Sequence, residues 1–185
     1  MFKKTLLTIL TSVVISAVNG EVENKYQSEV QHVQEVGSLL YETVTLKNRF
    51  NLKSLKNHKE AKSLFNERKC SKLSYKAYIV NYKGLESVYF VASKTFSSPV
   101  IIGRHFSAPI ENGLLKIEKL ISSTKGCLNL GSTRNTTEGM IATSLDPFPN
   151  EFHVLQSKLH RITLYVSTEY GLWKIVSGQI SLLEL

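Results

Sequence analysis

Two histidines in the last quarter of the chain are the residues best suited to proton transfer near neutral pH. His153 and His160 are seven residues apart in a short predicted helix that Asn150 caps. Seven helical residues rise about 10 Å, so the two imidazoles are too far apart to bind one metal ion. Either histidine alone, oriented by a glutamate such as Glu151 or Glu169, would suit a general base. A solvated or capping histidine is the simpler interpretation.

A second candidate for chemistry is a Ser-x-x-Lys spacing at Ser122 and Lys125. In serine acyl-enzymes this spacing places a hydroxyl one helical turn from an amine. The companion motifs Ser-Asp-Asn and Lys-Thr-Gly are absent from the sequence, and Gly126 follows directly, as at the end of a helix. We therefore interpret the match as a helix terminus.

The sequence has two cysteines, Cys70 and Cys127, and no Cys-x-x-Cys motif. The nearest histidine to Cys70, His58, is twelve residues away, so the sequence predicts neither a metal site nor a cofactor. In an oxidising compartment such a pair tends to form a disulfide, and we predict a bond between Cys70 and Cys127. Two separately buried thiols are the alternative.

The first twenty residues have the pattern of an export signal. Lys3 and Lys4 precede an apolar stretch, 6–14, and small residues lead to a predicted cleavage site near Gly20. The apolar stretch is shorter than the ~20 residues that a membrane span needs. We expect a periplasmic or secreted protein without a transmembrane helix in its mature chain, folded as a single domain over 21–185. An uncleaved signal acting as an anchor is the alternative.

Positive charge is concentrated in one part of the chain. The sequence has 23 Lys and Arg against 15 Asp and Glu, a formal charge of +8, which becomes +6 without the two lysines of the leader. Residues 47–76 contain ten cations against Glu60 and Glu67, a local charge of +8. The predicted binding residues in this segment are Lys53, Lys56, Lys59, Lys62, Arg68 and Lys69.

The first functional hypothesis is a non-enzymatic exported binding protein that uses this basic segment or a sheet face to bind an anionic ligand or a protein partner. Ten cations attract anionic partners within about 8 Å, the screening length at physiological salt. Lipid head groups, acidic glycans or an acidic protein are the expected partners; nucleic acid is less expected, because no regular aromatic pattern accompanies the cations. Solvation of a helical face is the alternative reading of the charges. The second hypothesis is a small exported hydrolase that uses His153 or His160 with a glutamate.

The elements that must position these residues begin with an amphipathic helix over 21–46. Its apolar residues form a stripe about 120° wide at helical spacing. The stripe also fits a heptad, but Gly37 occupies a core position, so we favour packing on the protein's own sheet over self-association. The basic segment that follows predicts one or two short helices, so that 21–74 is mainly helical.

Residues 75–185 are mainly β in character, with one or two short helices. Strands over 75–80 and 85–92 flank a four-residue loop, and a third strand covers 100–106. We favour a helix over 113–123, with Asn112 as its cap, although Asn112-Gly113 is also a preferred hairpin turn and the stretch could be a strand. A surface loop over 128–138 and a strand over 139–145 follow.

The C-terminal residues carry the clearest strand pattern. Segments 162–168, 172–176 and 179–185 are separated by short turns and predict an antiparallel meander. The predicted architecture is therefore α+β, in which the N-terminal amphipathic helix and the basic helical segment pack on an antiparallel sheet of about five to seven strands, the last three being the meander.

Overall fold

The structure, a computed structural model, describes residues 26–93, 99–132 and 139–183. The predicted leader and cleavage site, and the first five residues of the predicted first helix, lie outside these ranges. The described helices are α1 (26–45), α2 (His58–Arg68) and α3 (Glu151–His160), with short 3-10 helices at Leu52–Ser54 and Ile117–Lys119. The strands are β1 (Ser74–Tyr82), β2 (Leu85–Ser93), β3 (Pro99–Ile101), β4 (Phe106–Glu111), β5 (Leu114–Leu115), β6 (Ile121–Ser122), β7 (Asn129–Ser132), β8 (Met140–Thr143), β9 (Leu164–Thr168), β10 (Gly171–Val176) and β11 (Gln179–Leu183).

These elements confirm the α+β class but divide the strands among separate sheets. The first sheet has the order β1-β2-β4-β5, and β6 also pairs with β4. The second sheet has the order β11-β10-β9-β8, and β3 pairs with β7 in a small sheet of two strands. The predicted meander is confirmed as β9, β10 and β11, which pair antiparallel in sequence order.

One pair departs from the predicted antiparallel pattern. β8 and β9 are parallel, with Met140 opposite Leu164. Parallel neighbours need a crossover connection, and α3 supplies it. The helix lies in this connection with most of its side chains buried, from Phe152 through Ser157.

The helix favoured over 113–123 is wrong. Asn112 and Gly113 both have positive φ, 54° and 76°, and form a two-residue hairpin turn between β4 and β5. Leu114 and Leu115 then pair with β4, and after one 3-10 turn β6 pairs with the same strand. The stretch is therefore an interrupted strand, because the hairpin turn returns the chain along β4.

Three further boundaries differ from the expectations. The predicted strand over 100–106 divides into β3 and β4 at Gly103, where a Cβ atom would lie 2.0 Å from the backbone nitrogen of Leu128. The predicted loop over 128–138 contains β7, and its residues 133–138 lie outside the described ranges. The first hairpin turns on two residues, Lys83 and Gly84, rather than four.

Helix α1 packs inside the protein, as the sequence favoured. Its buried residues Val36 and Leu40 share a cluster with Tyr78 and Val80 of β1 and with apolar residues of α3. Gly37 is the closest point between α1 and α3, since a Cβ atom there would lie 2.6 Å from the Cβ of Val154. In the heptad pattern, Gly37 occupied a core position and argued against a coiled coil. It is therefore the place where α1 crosses α3, and the crossing requires glycine.

Two other clusters complete the described interior. Trp173, Leu164 and Ile175 of the second sheet pack with Val100 and Ile102 of the β3 region. A further cluster of aromatic and aliphatic residues joins α2 to the first sheet and includes Phe65, Phe90, Phe106, Leu55 and Ala61. Within the described ranges, no helix combines the length and apolar composition that crossing a bilayer requires.

Candidate functional site

The basic segment is held on the first sheet by a few apolar anchors, which leave its cations in solvent. Phe65 stacks on Phe90 with ring centroids 4.6 Å apart, and Leu55 and Ala61 are buried beside it. Of the one or two short helices predicted for this segment, the structure has the 3-10 turn and α2. All six predicted binding residues are exposed: Lys53, Lys56, Lys59, Lys62, Arg68 and Lys69.

The exposed cations of this segment have no acidic partners among the residues that the structure describes. The ion pairs found there join Glu111 to Lys116 and to Lys119, each at 3.2 Å, on the hairpin of β4 and β5. These two lysines hold the pKa of the Glu111 carboxyl below its ordinary value. The basic segment thus presents charge that the described part of the fold does not neutralise.

A cleft of about 640 Å³ opens beside the C-terminal end of α2. It lies between that helix end, the turn that precedes β4, the chain from β6 towards β7, and the residues that follow β8. Its volume is within the range typical of small-molecule sites. Its lining comprises Arg68, Arg104, Phe106, Ser122, Ser123, Thr124, Lys125, Gly126, Leu128, Thr143, Ser144, Leu145 and Asp146.

Arg104 joins two walls of this cleft. Its Nε donates to the carbonyl oxygen of Lys125 at 2.9 Å, and one of its Nη atoms donates to the carbonyl oxygen of Arg68. The residue has a φ of 53°, in the left-handed region, and its backbone N–H donates to the hydroxyl of Thr124. A non-glycine residue in this region is uncommon, and such residues concentrate at functional sites.

The predicted disulfide is confirmed and joins the same two walls. The sulfur atoms of Cys70 and Cys127 are 1.97 Å apart and close a loop with a sequence separation of 57. Cys70 follows Arg68 by two residues, and Cys127 follows Lys125 by two. One covalent bond and the two hydrogen bonds of Arg104 therefore fix the position of Arg68 relative to Lys125.

Most hydroxyl groups of the cleft donate to the protein itself. Ser122 donates to the carbonyl oxygen of Thr124, and Thr124 donates to that of Gly126, each at 2.6 Å. Ser123 donates to the carbonyl oxygen of Ile102. Residues 122–125 are strand end and turn rather than helix, so the Ser-x-x-Lys spacing does not place the amine of Lys125 one helical turn from the Ser122 hydroxyl.

The opposite part of the cleft combines one carboxylate with apolar side chains. Asp146 accepts from the hydroxyl of Ser144 at 3.4 Å, and its backbone N–H donates to the same hydroxyl. Leu145 is 80% exposed, although it is a large apolar residue. Together with Phe106 and Leu128 it gives the cleft an apolar surface beside its three cations.

His153, one of the two histidines singled out in the sequence, lies in the core rather than on a polar face. It is 1% exposed, and its Nδ1 accepts the backbone N–H of Asn150 at 3.0 Å, which completes a capping box at the start of α3. Burial, with a smaller contribution from nearby His105, lowers its pKa to about 3. Its Nε2 is buried without a hydrogen-bond partner among the described residues. The capping interpretation is the one that the geometry supports.

His160 and Glu151 lie at opposite ends of α3, so this glutamate does not orient that histidine. Burial lowers the pKa of His160, and burial raises the pKa of Glu151, with Asp146 adding to the rise. Neither His153 nor His160 lines the described cleft. In the described part of the chain, no three side chains of His, Cys, Asp or Glu come together as a metal site would need.

A second buried histidine, His105, was not singled out in the sequence. It is fully buried and stacks on Phe152 with ring centroids 4.8 Å apart. Its Nδ1 accepts from the backbone N–H of Ala92, and its Nε2 lies 2.6 Å from the carbonyl oxygen of Ile101, so Nε2 carries the proton and donates. Burial lowers its pKa to about 4. Its role is to tie β2 to the turn between β3 and β4.

The sequence analysis did not identify Arg104 or the cleft. Apart from the pair of cysteines, nothing in the sequence indicates that Arg68, Arg104 and Lys125 lie close together. That pair, each two residues from a cation, was the one available signal. Comparison with known proteins adds no assignment: no protein-family model matches this chain, and neither curated proteins nor solved structures give a significant match.

Proposed function

We propose that this chain is an exported, non-enzymatic binding protein whose basic surface holds an anionic partner. The surface is formed by the six exposed cations Lys53, Lys56, Lys59, Lys62, Arg68 and Lys69. The observation that supports the proposal is that none of them forms an ion pair with a described carboxylate, although they lie on a helix-turn unit that is anchored in the core.

The chemistry of the partner follows from the exposure of these groups. Exposed lysines gain little from a single contact, so a partner must present several negative charges at once. Lipid head groups, acidic glycans and an acidic protein surface have this property. Nucleic acid is the less expected partner, because Phe65 is buried and Phe50 and Tyr75 are partly buried against the first sheet, which leaves no row of aromatic faces for stacking on bases.

Export supplies the second half of the proposal. The disulfide fits an oxidising compartment. The charged and apolar pattern of residues 1–20 resembles a cleaved export signal and supports a location in the periplasm or outside the cell.

Binding is tested with three probes, each added to the full-length chain and to its variants. Vesicles of phosphatidylglycerol mixed with phosphatidylcholine represent lipids, heparin represents acidic glycans, and vesicles of phosphatidylcholine alone are the neutral reference. The K53E/K59E variant reverses two exposed charges of the basic surface. We expect its affinity for the anionic probe that binds to fall at least tenfold, about 1.4 kcal/mol, since each lysine near a charged surface contributes about 1 kcal/mol.

The matched control reverses the same number of charges elsewhere. Lys83 and Arg161 are exposed and lie outside 47–76, so K83E/R161E has the same net charge as the test variant. We expect it to bind nearly as the unmodified chain does. An equal loss of affinity in both variants would mean that net charge alone attracts the probes. If neither anionic probe binds, an acidic protein is the remaining partner class, to be sought by capture from the native medium.

A further inference from the structure

The lining of the cleft at the end of α2 carries positive charge that does not come from the lysines of the basic surface. Among the described residues, Arg68, Arg104 and Lys125 are the cations that line it, and Asp146 is the one acidic residue. The hydroxyls of Ser122, Ser123 and Thr124 donate to backbone carbonyl oxygens of the protein. Donors left for a ligand are therefore mainly cationic, and the ligand that they select is an anion.

Arg104 is already placed to receive such a group. Two of its nitrogens are held by carbonyl oxygens on either side of the cleft, which orients the guanidinium without neutralising its charge. Among the described residues its remaining Nη atom has no hydrogen-bond partner, nor has the amino group of Lys125. A guanidinium fixed in this way loses little side-chain entropy when an anion binds.

The rest of the ligand is set by the apolar lining. Phe106, Leu128 and Leu145 line the same cleft with apolar atoms, and Leu145 is 80% exposed. A concave site of about 640 Å³ with apolar walls and a few convergent charged groups is the usual form of a small-molecule site.

We infer that this cleft binds a small organic anion, a carboxylate or phosphate head on an apolar body, with Arg104 and Lys125 holding the head and Leu145, Leu128 and Phe106 covering the body. The inference goes beyond the proposed function, because neither Arg104 nor Lys125 belongs to the basic surface; Arg68 alone is common to the two. It also gives the disulfide a second role, since the bond between Cys70 and Cys127 keeps the two cationic walls at their spacing.

Decanoate is the probe, with decylamine and decanol as matched compounds that have a cationic and a neutral head. Each is titrated into the full-length chain, and amide NMR shifts are followed at Gly126 and Ser144 in the cleft and at Ile79 in the first sheet as a distant reference. We expect saturable shifts with decanoate at the two cleft positions. Decylamine and decanol should bind at least about tenfold more weakly, because neither offers an anion to the guanidinium.

Two substitutions identify the head-group contacts. K125Q removes one cation whose side chain supports no described part of the fold, and we expect it to lower the affinity for decanoate at least about fivefold. R104Q should lower this affinity at least about tenfold, the usual range for a charge-assisted contact. K53E/K59E is the control and should bind decanoate as the unmodified chain does. If R104Q fails to fold, K125Q still decides the question.

Three results would overturn the inference. They are the absence of saturable shifts at Gly126 and Ser144, equal binding of decanol and decanoate, and unchanged decanoate affinity in K125Q. If the chain binds decanoate but neither the anionic vesicles nor heparin, the inference about the cleft is supported and only the proposed function is refuted.

Discussion

The two buried histidines make the stability of this protein fall as the pH falls from 7.5 to 5. His105 and His153 are at most 1% exposed, and burial lowers their pKa values to about 4 and about 3, from an ordinary value of 6.5. In the unfolded chain both would bind a proton just below pH 6.5, whereas the folded protein keeps them neutral. The unfolded state therefore binds more protons in this range, and acid favours it.

The size of the effect follows from these values. A pH of 5 is 1.5 units below the pKa of an unfolded histidine and still above the pKa values of both folded histidines. At about 1.4 kcal/mol per pH unit, each histidine therefore lowers the free energy of unfolding by about 2 kcal/mol. The two together lower the free energy of unfolding by about 4 kcal/mol, a large fraction of the 5–15 kcal/mol of an ordinary domain. The lowered pKa of His160 acts in the same direction, whereas the raised pKa of the Glu151 carboxyl opposes the loss; the lowered carboxyl pKa values of Glu35 and Glu111 add to the loss below pH 4.5.

Urea unfolding followed by the fluorescence of Trp173, the single tryptophan and a buried one, measures this difference at pH 7.5 and pH 5. The variant H153Q isolates one histidine, because a glutamine at this position of α3 can still accept the backbone N–H of Asn150. It should reduce the pH-dependent loss by about 2 kcal/mol. H32Q, at an exposed histidine, should leave the loss unchanged. Equal stability at the two pH values, or the same loss in H153Q as in the unmodified chain, would refute the reasoning.

Two further predictions concern packing and the disulfide. G37A should lower the free energy of unfolding by about 1–2 kcal/mol, because overpacking against the Cβ of Val154 and the backbone oxygen of Glu151 outweighs the higher helix propensity of alanine; an unchanged free energy in urea unfolding would contradict this account of the helix crossing. Replacing Cys70 and Cys127 with serine should cost about 4 kcal/mol for a loop of separation 57, and a loss below about 1 kcal/mol in the same assay would contradict the chain-entropy argument.

Elements with a strong local pattern could be predicted from the sequence. The stripe of α1, the first hairpin and the C-terminal meander each repeat one periodicity over enough residues to fix the element type. The disulfide followed from the compartment that the leader indicates, since only two cysteines were available to pair.

Other features depend on contacts distant in sequence. Residues 113–123 carry apolar spacing that suits a helix, yet pairing with β4 after the Asn112-Gly113 turn decides their structure. His153 was placed on a polar face because local spacing cannot show that α3 would be covered on nearly all sides as a crossover between parallel strands. The meeting of Arg68, Arg104 and Lys125 likewise required the fold.

The most direct test of the proposed function is the salt dependence of binding to phosphatidylglycerol vesicles or heparin by the unmodified chain and by K53E/K59E. The screening length falls from about 10 Å at 0.1 M salt to about 3 Å at 1 M, so attraction by the exposed cations should be nearly lost at the higher concentration. We predict strong binding by the unmodified chain at low salt only, and weak binding by the variant at both. Binding that is insensitive to salt and to the substitutions would contradict the account.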